Sequence, residues 1–286
     1  MTQISIVLPA RNEAAGLMMI MPALSREFPD AEIIVVNDSS TDDTGKIAEQ
    51  YGARLITHPY TMGNGAAIKT GARAATGDVL VFMDADGQHN VNDIGRLLDA
   101  LVDNIDMVVG ARNSGSQAGL LRWVGNCFYN KVASFITGHK IDDLTSGFRV
   151  VRREKFLEFI NILPNGFSYP TTITMAFFRV GYTVKYVSIE AARDAGKSHI
   201  NLFRDGIKFL LIIFRITALY SPLKIFFPAS FLMFVSGIGY YCYTFFFYGR
   251  FTNMSSLLLL TSILIFLIGL VSEQITFLIY ANKKGK

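Results

Sequence analysis

The stretch Val79-Leu-Val-Phe-Met-Asp-Ala-Asp-Gly-Gln-His89 decides how the rest of the chain is read. Its first five residues are apolar without interruption, which suits a strand buried on both faces, as in a parallel sheet. The polarity then reverses, and a helical pattern resumes over Val91 to Val102. In extended backbone, residues i and i+2 point the same way. Asp84 and Asp86 can therefore approach one hard divalent cation, with Gln88 adding a neutral oxygen. Such a cation would neutralise a diphosphate and make it a better leaving group. A short acidic pair alone also fits a solvated Asp-Gly turn; its place between strand and helix is what makes it a candidate metal site.

Outward from this stretch the same alternation repeats. Strand patterns at Ile4 to Leu8, Ala31 to Val36, Arg54 to Thr57 and Met107 to Val109 are interleaved with helical patterns at Glu13 to Phe28, Thr44 to Tyr51 and Ala66 to Ala75. This order predicts an α/β domain built on a parallel sheet with both faces covered. Ligands of such sheets bind beyond the carboxyl ends of the strands. Polar clusters stand there: Pro9-Ala-Arg-Asn-Glu13, Asn37-Asp-Ser-Ser-Thr-Asp-Asp43 and Asp84-Ala-Asp-Gly-Gln-His89. The segment Gly63-Asn-Gly-Ala-Ala-Ile68 fails as a dinucleotide fingerprint, because Ile68 holds the third glycine position and the segment follows the third strand rather than the first. It reads instead as a loop and helix start, with Lys69 either reaching a phosphate or standing as a plain surface lysine.

Charge divides the chain. Residues 1–192 carry 17 basic and 20 acidic side chains, 193–224 six and two, and 225–286 four and one. The net charge of +4 thus belongs to the last third. High hydrophobicity excludes a disordered chain, and an acidic globular part argues against nucleic-acid binding. Cys127 and Cys242, far apart, form no metal spacing or disulfide framework and read as buried apolar fillers.

Ile225 to Gly249 and Phe251 to Ser272 are free of charge over 25 and 22 residues. Each can cross a hydrocarbon core of about 30 Å. With only Arg250 between them they form a hairpin, both ends on one side. Arg204, Lys208, Arg215 and Lys224 before it and Lys283, Lys284 and Lys286 after it put the N-terminal domain and the C-terminus in the cytoplasm. The N-terminus lacks the basic and apolar regions of a signal peptide. Glu273, toward the end of the second span, is read as snorkelling to the interface or touching a headgroup or partner helix. Within Asn201 to Tyr220, Arg204, Lys208 and Arg215 share one helical face, as in a helix lying in the membrane interface; a core-facing helix is the alternative. The expected domains are 1–200, catalytic; 201–222, an amphipathic interface helix; 223–282, two transmembrane helices; and 283–286, a basic cytoplasmic tail.

The motifs Val7-Leu-Pro-Ala-Arg-Asn-Glu13, Val35-Val-Asn-Asp-Ser-Ser-Thr-Asp42, Gly63-Asn-Gly-Ala-Ala-Ile-Lys-Thr-Gly71, Asp84-Ala-Asp-Gly-Gln-His89 and Asp143-Leu-Thr-Ser-Gly-Phe-Arg149 resemble glycosyltransferase family 2. Within it the chain is similar to the polyprenyl-phosphate glycosyltransferases over about residues 3–225. The resemblance implies a GT-A (Rossmann-like) fold and inverting transfer of one hexose-type sugar from a GDP- or UDP-linked donor to a polyprenyl or dolichyl phosphate. Mg²⁺ or Mn²⁺ is the implied cofactor, the membrane and the lipid the implied partners, and a homo-oligomer is admitted. Pro9, Arg11 and Glu13 would line the nucleoside pocket and Asp38 would hold the base. Asp84, Asp86 and Gln88 would surround the metal and diphosphate, with Arg112 reaching the phosphates or the acceptor. Arg122, Arg149 and the segment from Arg193 through Lys197 and Ser198 match basic positions tied to acceptor phosphate and leaving group. Asn64, Asn37 and His199 depart from the family pattern, where lysine, aspartate and lysine are common.

Acceptor chemistry agrees with that reading. A phosphate monoester, second pKa about 6, is already an anionic nucleophile near neutral pH and needs no general base. Its site needs cations to hold two sets of phosphates, and Arg112, Arg122, Arg193 and Lys197 offer them. Any one of these, Arg122 above all, also fits a surface ion pair. A processive synthase would carry a Gln-x-x-Arg-Trp helix, whereas four residues separate Gln117 from Arg122-Trp123. A soluble nucleotidyltransferase would not need the hairpin, and an inactive sugar-nucleotide binder is the non-enzyme alternative.

Overall fold

The computed structural model describes residues 3–112, 120–166, 168–190, 214, 218 and 220–281, with side chains left undescribed at 120–126, 128 and 281. The chain divides into two compact units, Met1–Asn201 and Leu202–Lys286.

The first unit is built on seven strands: β1 (Ile4–Ala10), β2 (Glu32–Asn37), β3 (Arg54–Thr57), β4 (Val79–Phe82), β5 (Met107–Arg112), β6 (Arg149–Arg152) and β7 (Val184–Ile189). They lie in the order β3-β2-β1-β4-β6-β5-β7. The helices are α1 (Ala14–Glu27), α2 (Thr44–Gln50), α3 (Asn64–Ala74), α4 (Asp93–Ala100), α5 (Leu120–Thr137), α6 (Arg153–Leu157) and α7 (Tyr169–Val180). Ile6, Val7 and Leu8 are all fully buried, so β1 has no solvent face. Ile6 and Leu8 join Leu17, Met21, Ile94 and Leu97 of α1 and α4 in the main core. Val7 faces the opposite layer, where Gly71 lets α3 approach: a Cβ there would lie 2.3 Å from Val7 Cγ1. Two-sided burial is why these strands read as unbroken apolar runs.

One expectation needs correcting. The sheet is mixed, because β6 runs antiparallel to both β4 and β5. Its four residues, Arg-Val-Val-Arg, offer a two-residue apolar run, too short to show a strand period. The consequence is functional, since β6 inserts the Asp143 to Phe148 segment beside the end of β4.

In the second unit, α8 (Leu223–Tyr248) and α9 (Asn253–Ala281) form an antiparallel pair. Both are long and apolar enough to cross a membrane, with mean hydropathy 1.5 and 2.5. Small residues bring them together: Gly237 lies against Leu258 and Leu259, and Gly269 against Phe226. Glu273 sits well inside α9, and its carboxylate accepts hydrogen bonds from the Leu223 N–H and the Ser221 hydroxyl, both at 3.2 Å. It caps the first span from the second, using a negative charge where the helix dipole is positive. The cysteines are less buried than expected, Cys127 half-buried and Cys242 exposed. The interface helix expected over Asn201 to Tyr220 lies almost wholly outside the described residues.

Candidate active site

The ends of β1, β2 and β4 meet at a cavity of about 330 Å³. Pro9, Arg11, Glu13, Asp38, Asn64, Asp84 and Asp86 line it. Six of these were expected at the site; Asn64 joins them from the amino end of α3. The loops after β1 and β2 are laced together. Asn12 Oδ1 accepts from the Thr41 N–H at 2.8 Å, the Asn12 N–H donates to Ser40 Oγ at 3.0 Å, and the Ala14 N–H donates to Asp42 Oδ2 at 3.1 Å. Asn12 and Ser39 hold positive φ, 56° and 60°, a conformation that costs of order 1 kcal/mol or more and persists only where neighbours enforce it. Asn37 Oδ1 accepts from the Ser40 N–H at 2.9 Å, so the amide in place of the family's carboxylate still closes the turn.

Asp84 and Asp86 differ in their surroundings. Asp86 Oδ1 accepts from the backbone N–H of Gln88 at 3.0 Å, which fixes the turn. Asp84 is partly exposed, with Asn64 Nδ2 3.5 Å from Oδ1 and His89 Nε2 4.0 Å from Oδ2. Burial and then Asp86 push the Asp84 pKa up, against the pull of His89, Asn64 and Arg112. Glu13 is raised as well, by burial and by the charges of Asp86, Asp84 and Asp42. Carboxylates that resist ionisation because of one another form a sink for a cation. Among the described residues no three His, Cys, Asp or Glu side chains converge on one ion position. Asp84 and Asp86 offer hard carboxylate oxygens of the kind a divalent ion takes, and such an ion would need further oxygens, as from a phosphate, to fill its shell. Gln88 follows on the same loop but does not line the cavity.

Two glycines make close approaches here. A Cβ on Gly16 would lie 2.1 Å from Ala85 O, so α1 can start against the Asp-Ala-Asp loop. One on Gly147 would lie 3.1 Å from Asp84 Oδ2, which shows how tightly the segment before β6 backs that carboxylate. His89, which ends the acidic stretch, is a further residue at this site that the sequence expectations do not include. Its ring packs on Phe148, 4.9 Å between centroids, and its buried Nδ1 has no hydrogen-bond partner. Burial pushes its pKa down. The signal was its place at the end of the acidic stretch.

The basic residues divide. Arg112 donates from Nε and Nη2 to the two oxygens of Asp143 at 2.8 and 3.1 Å, and from Nη2 to Thr145 Oγ1 at 2.7 Å. The bidentate pair fixes the guanidinium close enough to Asp84 to pull against the upward push of burial and Asp86 without overcoming it. Arg149 is fully buried: Nε donates to Ser146 O at 3.2 Å, Nη1 to Pro170 O at 3.1 Å and Thr174 Oγ1 at 3.2 Å, and Nη2 again to Ser146 O. The expected phosphate contact from Arg149 is therefore withdrawn; the guanidinium is an internal strut. Lys69 is corrected too. Its Nζ donates to Leu163 O at 3.1 Å and Asn165 Oδ1 at 2.5 Å, binding the 163–166 turn to α3. Gly63 and Gly65 serve the same turn, since a Cβ on either would lie 2.6 or 2.2 Å from Asn165 O or Pro164 O. Arg193, Lys197, Ser198 and His199 lie outside the described residues, as does the side chain of Arg122 on α5.

Against known sequences, the glycosyl transferase family 2 model matches residues 5–159, more than half of the chain. The chain belongs to glycosyltransferase family 2. A second model, the GtrB C-terminal hairpin, matches residues 221–278 of this glycosyltransferase, and together with the two apolar helices makes it membrane-anchored. Glycosyltransferase AglJ of Haloferax volcanii is 27% identical over 242 residues, covering 82% of this chain and 79% of that protein. Polyprenol monophosphomannose synthase of Mycolicibacterium smegmatis is 29% identical over 213 residues, 68% and 80% of the two chains. Glucosyl-3-phosphoglycerate synthase from Mycobacterium tuberculosis, solved with Mn²⁺, uridine diphosphate and phosphoglyceric acid, superposes with TM-score 0.60 at 23% identity, covering 76% of this chain and 78% of that one. The likeness establishes the GT-A fold of this glycosyltransferase.

Proposed function

We propose that this glycosyltransferase moves a single hexose-type sugar, with inversion, from a nucleoside-diphosphate donor to a polyprenyl phosphate at the cytoplasmic membrane face. The observation that carries the reading is the pair Asp84 and Asp86, facing one cavity beside the Arg112–Asp143 clamp, in a chain that ends in an apolar hairpin. Similarity to a polyprenol monophosphomannose synthase supports the acceptor class. The excess of Lys and Arg at the outer ends of the hairpin supports the cytoplasmic face.

In this reading the chain divides its labour. Pro9, Arg11 and Glu13 bound the nucleoside pocket, and Asp38 meets the base. Asp84 and Asp86 hold Mg²⁺ or Mn²⁺, the donor's phosphates completing the shell; the fold relative solved with Mn²⁺ supports a metal of this kind. Bound there, the ion supplies charge neutralisation of the departing diphosphate. Arg112, fixed by Asp143, adds positive charge beside Asp84 without a free rotor. The acceptor phosphate attacks the anomeric carbon as an anion, so no side chain needs to take a proton from it. Arg122, Arg193, Lys197 and Ser198 are the proposed acceptor-phosphate residues.

Purified full-length protein, given a polyprenyl phosphate, Mg²⁺ or Mn²⁺ and a panel of uridine- and guanosine-diphosphate sugars, is expected to yield a lipid-linked sugar with one donor. No product with any donor, or equal transfer to plain sugar alcohols, would sink the proposal.

A further inference from the structure

Asp38 is expected to meet the base, yet most of its hydrogen-bonding capacity is already committed. Oδ1 accepts from His58 Nδ1 at 2.7 Å and from the Met62 N–H at 2.8 Å, and Oδ2 accepts from the Gly63 N–H at 2.8 Å. A carboxylate offers about four lone-pair sites, two on each oxygen. Oδ1 is therefore full and Oδ2 keeps one site, on a side chain that lines the cavity. His58 is itself buried, its ring fixed at the far end by Thr70 Oγ1, 2.9 Å from Nε2, and its backbone N–H by Asn37 O at 2.9 Å. With Nδ1 on Asp38, Nε2 meets the Thr70 hydroxyl. The ring can neither turn away nor release Oδ1.

We infer that His58 and Thr70 are positioning residues that leave Asp38 able to accept one N–H from the nucleobase, so that the donor carries uracil rather than guanine. Uracil presents a single N–H, at N3. Guanine presents N1–H and the N2 amine side by side, a pair that matches a carboxylate with a free site on each oxygen. Against Asp38 one guanine donor would be buried without a partner. This inference rests on the nucleoside-diphosphate donor reading and names its base.

Full-length protein in detergent, titrated calorimetrically with uridine diphosphate and with guanosine diphosphate in the presence of Mn²⁺, tests it. Uridine diphosphate is expected to bind about tenfold or more tightly, since one unpaired buried donor costs on that order. Equal or tighter binding of guanosine diphosphate would overturn the inference while leaving the donor reading standing. Binding of neither would overturn both. His58→Ala frees a site on Oδ1 and is expected to shrink the ratio between the two nucleotides, where a merely structural role would weaken both alike. Thr70→Val, which keeps the imidazole but unlocks it, is expected to move the ratio the same way and serves if His58→Ala fails to fold. An unchanged ratio in the folded variants would remove His58 and Thr70 from base selection.

Discussion

Replacing Arg149 with methionine separates an internal strut from a phosphate-binding cation. The guanidinium is 0% exposed and reaches three oxygen acceptors, Ser146 O, Pro170 O and Thr174 Oγ1, tying the start of β6 to the amino-terminal part of α7, with Met107 Sδ a weaker fourth at 3.8 Å. Hydrogen bonds from a charged donor contribute roughly 1.5–3 kcal/mol each, so three oxygen acceptors amount to about 4.5–9 kcal/mol. Against this, removing a buried cation recovers a desolvation cost of several kcal/mol. Methionine also keeps much of the volume, so the net loss is expected to be about 2–4 kcal/mol, a large fraction of a typical domain's stability. For a domain of this size each kcal/mol moves Tm by about 2–4 °C, which gives a fall of roughly 4–16 °C. A thermal melt of the detergent-solubilised protein reads this directly, and KM for the lipid phosphate, measured well below the melt, reads the other role. The expected result is a lower Tm with acceptor KM unchanged. An unchanged Tm with a collapse in acceptor KM would refute the reasoning and return Arg149 to the ligand site.

Gly65→Ala drives a Cβ to 2.2 Å from Pro164 O, and the backbone shift it forces should cost about 1–3 kcal/mol in a thermal melt; a native Tm would show that the turn yields freely. Gly147→Ala brings a methyl to 3.1 Å from Asp84 Oδ2, a strain a few tenths of an ångström relieves, so Mn²⁺ affinity followed by spin resonance should weaken several-fold while Tm holds. Hydrogen bonds and charge from Arg112 and neighbouring N–H groups overcome the upward push of burial and hold Asp143 below its ordinary 3.8. A depressed carboxylate stabilises the fold above the unfolded value and loses that contribution as pH falls through the folded one, so Arg112→Met should raise the midpoint of acid unfolding; an unmoved midpoint would deny the pair its role. Glu273→Ala leaves the first turn of α8 uncapped and should cost about 1 kcal/mol, read as a lower melting temperature of the hairpin with kcat unchanged.

The sheet and helices up to β5 were legible because burial on both faces leaves long apolar runs, and the run before Asp84 is the strongest of them. β6 was not legible, since two valines between two arginines carry no period. The cavity wall was legible as polar clusters after strands, with Asp84 and Asp86 singled out by their spacing and Pro9, Arg11, Glu13 and Asp38 by the family resemblance. Lys69 and Arg149 misled for a common reason. A cation near a glycine-rich turn or in a motif looks ligand-facing in sequence, whereas its acceptors here are the carbonyls of Leu163, Ser146 and Pro170, and a backbone carbonyl can belong to any residue type. His58 was silent because its partners, Asp38 and Thr70, are 20 and 12 residues away.

The directions in which the acids are shifted sort them by task. Asp38, Asp42 and Asp143 are held below the usual carboxylate range, and each already accepts from backbone N–H groups, of Met62 and Gly63, of Ala14 and Thr44, and of Arg112 and Thr145. Asp42 and Asp143 shape loops, and Asp38 does so while keeping one acceptor site on a side chain that lines the cavity. Glu13 and Asp84 are pushed above that range, by burial and by neighbouring carboxylates. A charge stabilised by the fold has little left to attract a cation, though it can still accept a neutral N–H, while a charge the fold leaves uncompensated favours any cation that enters. The same opposition explains why an excess of acid in the first 192 residues coexists with a phosphate-handling function. Asp38, Asp42 and Asp143 spend much of their charge on backbone N–H groups, while Glu13 and Asp84 line the cavity, where a divalent ion could offset the repulsion between the protein and a doubly charged leaving group.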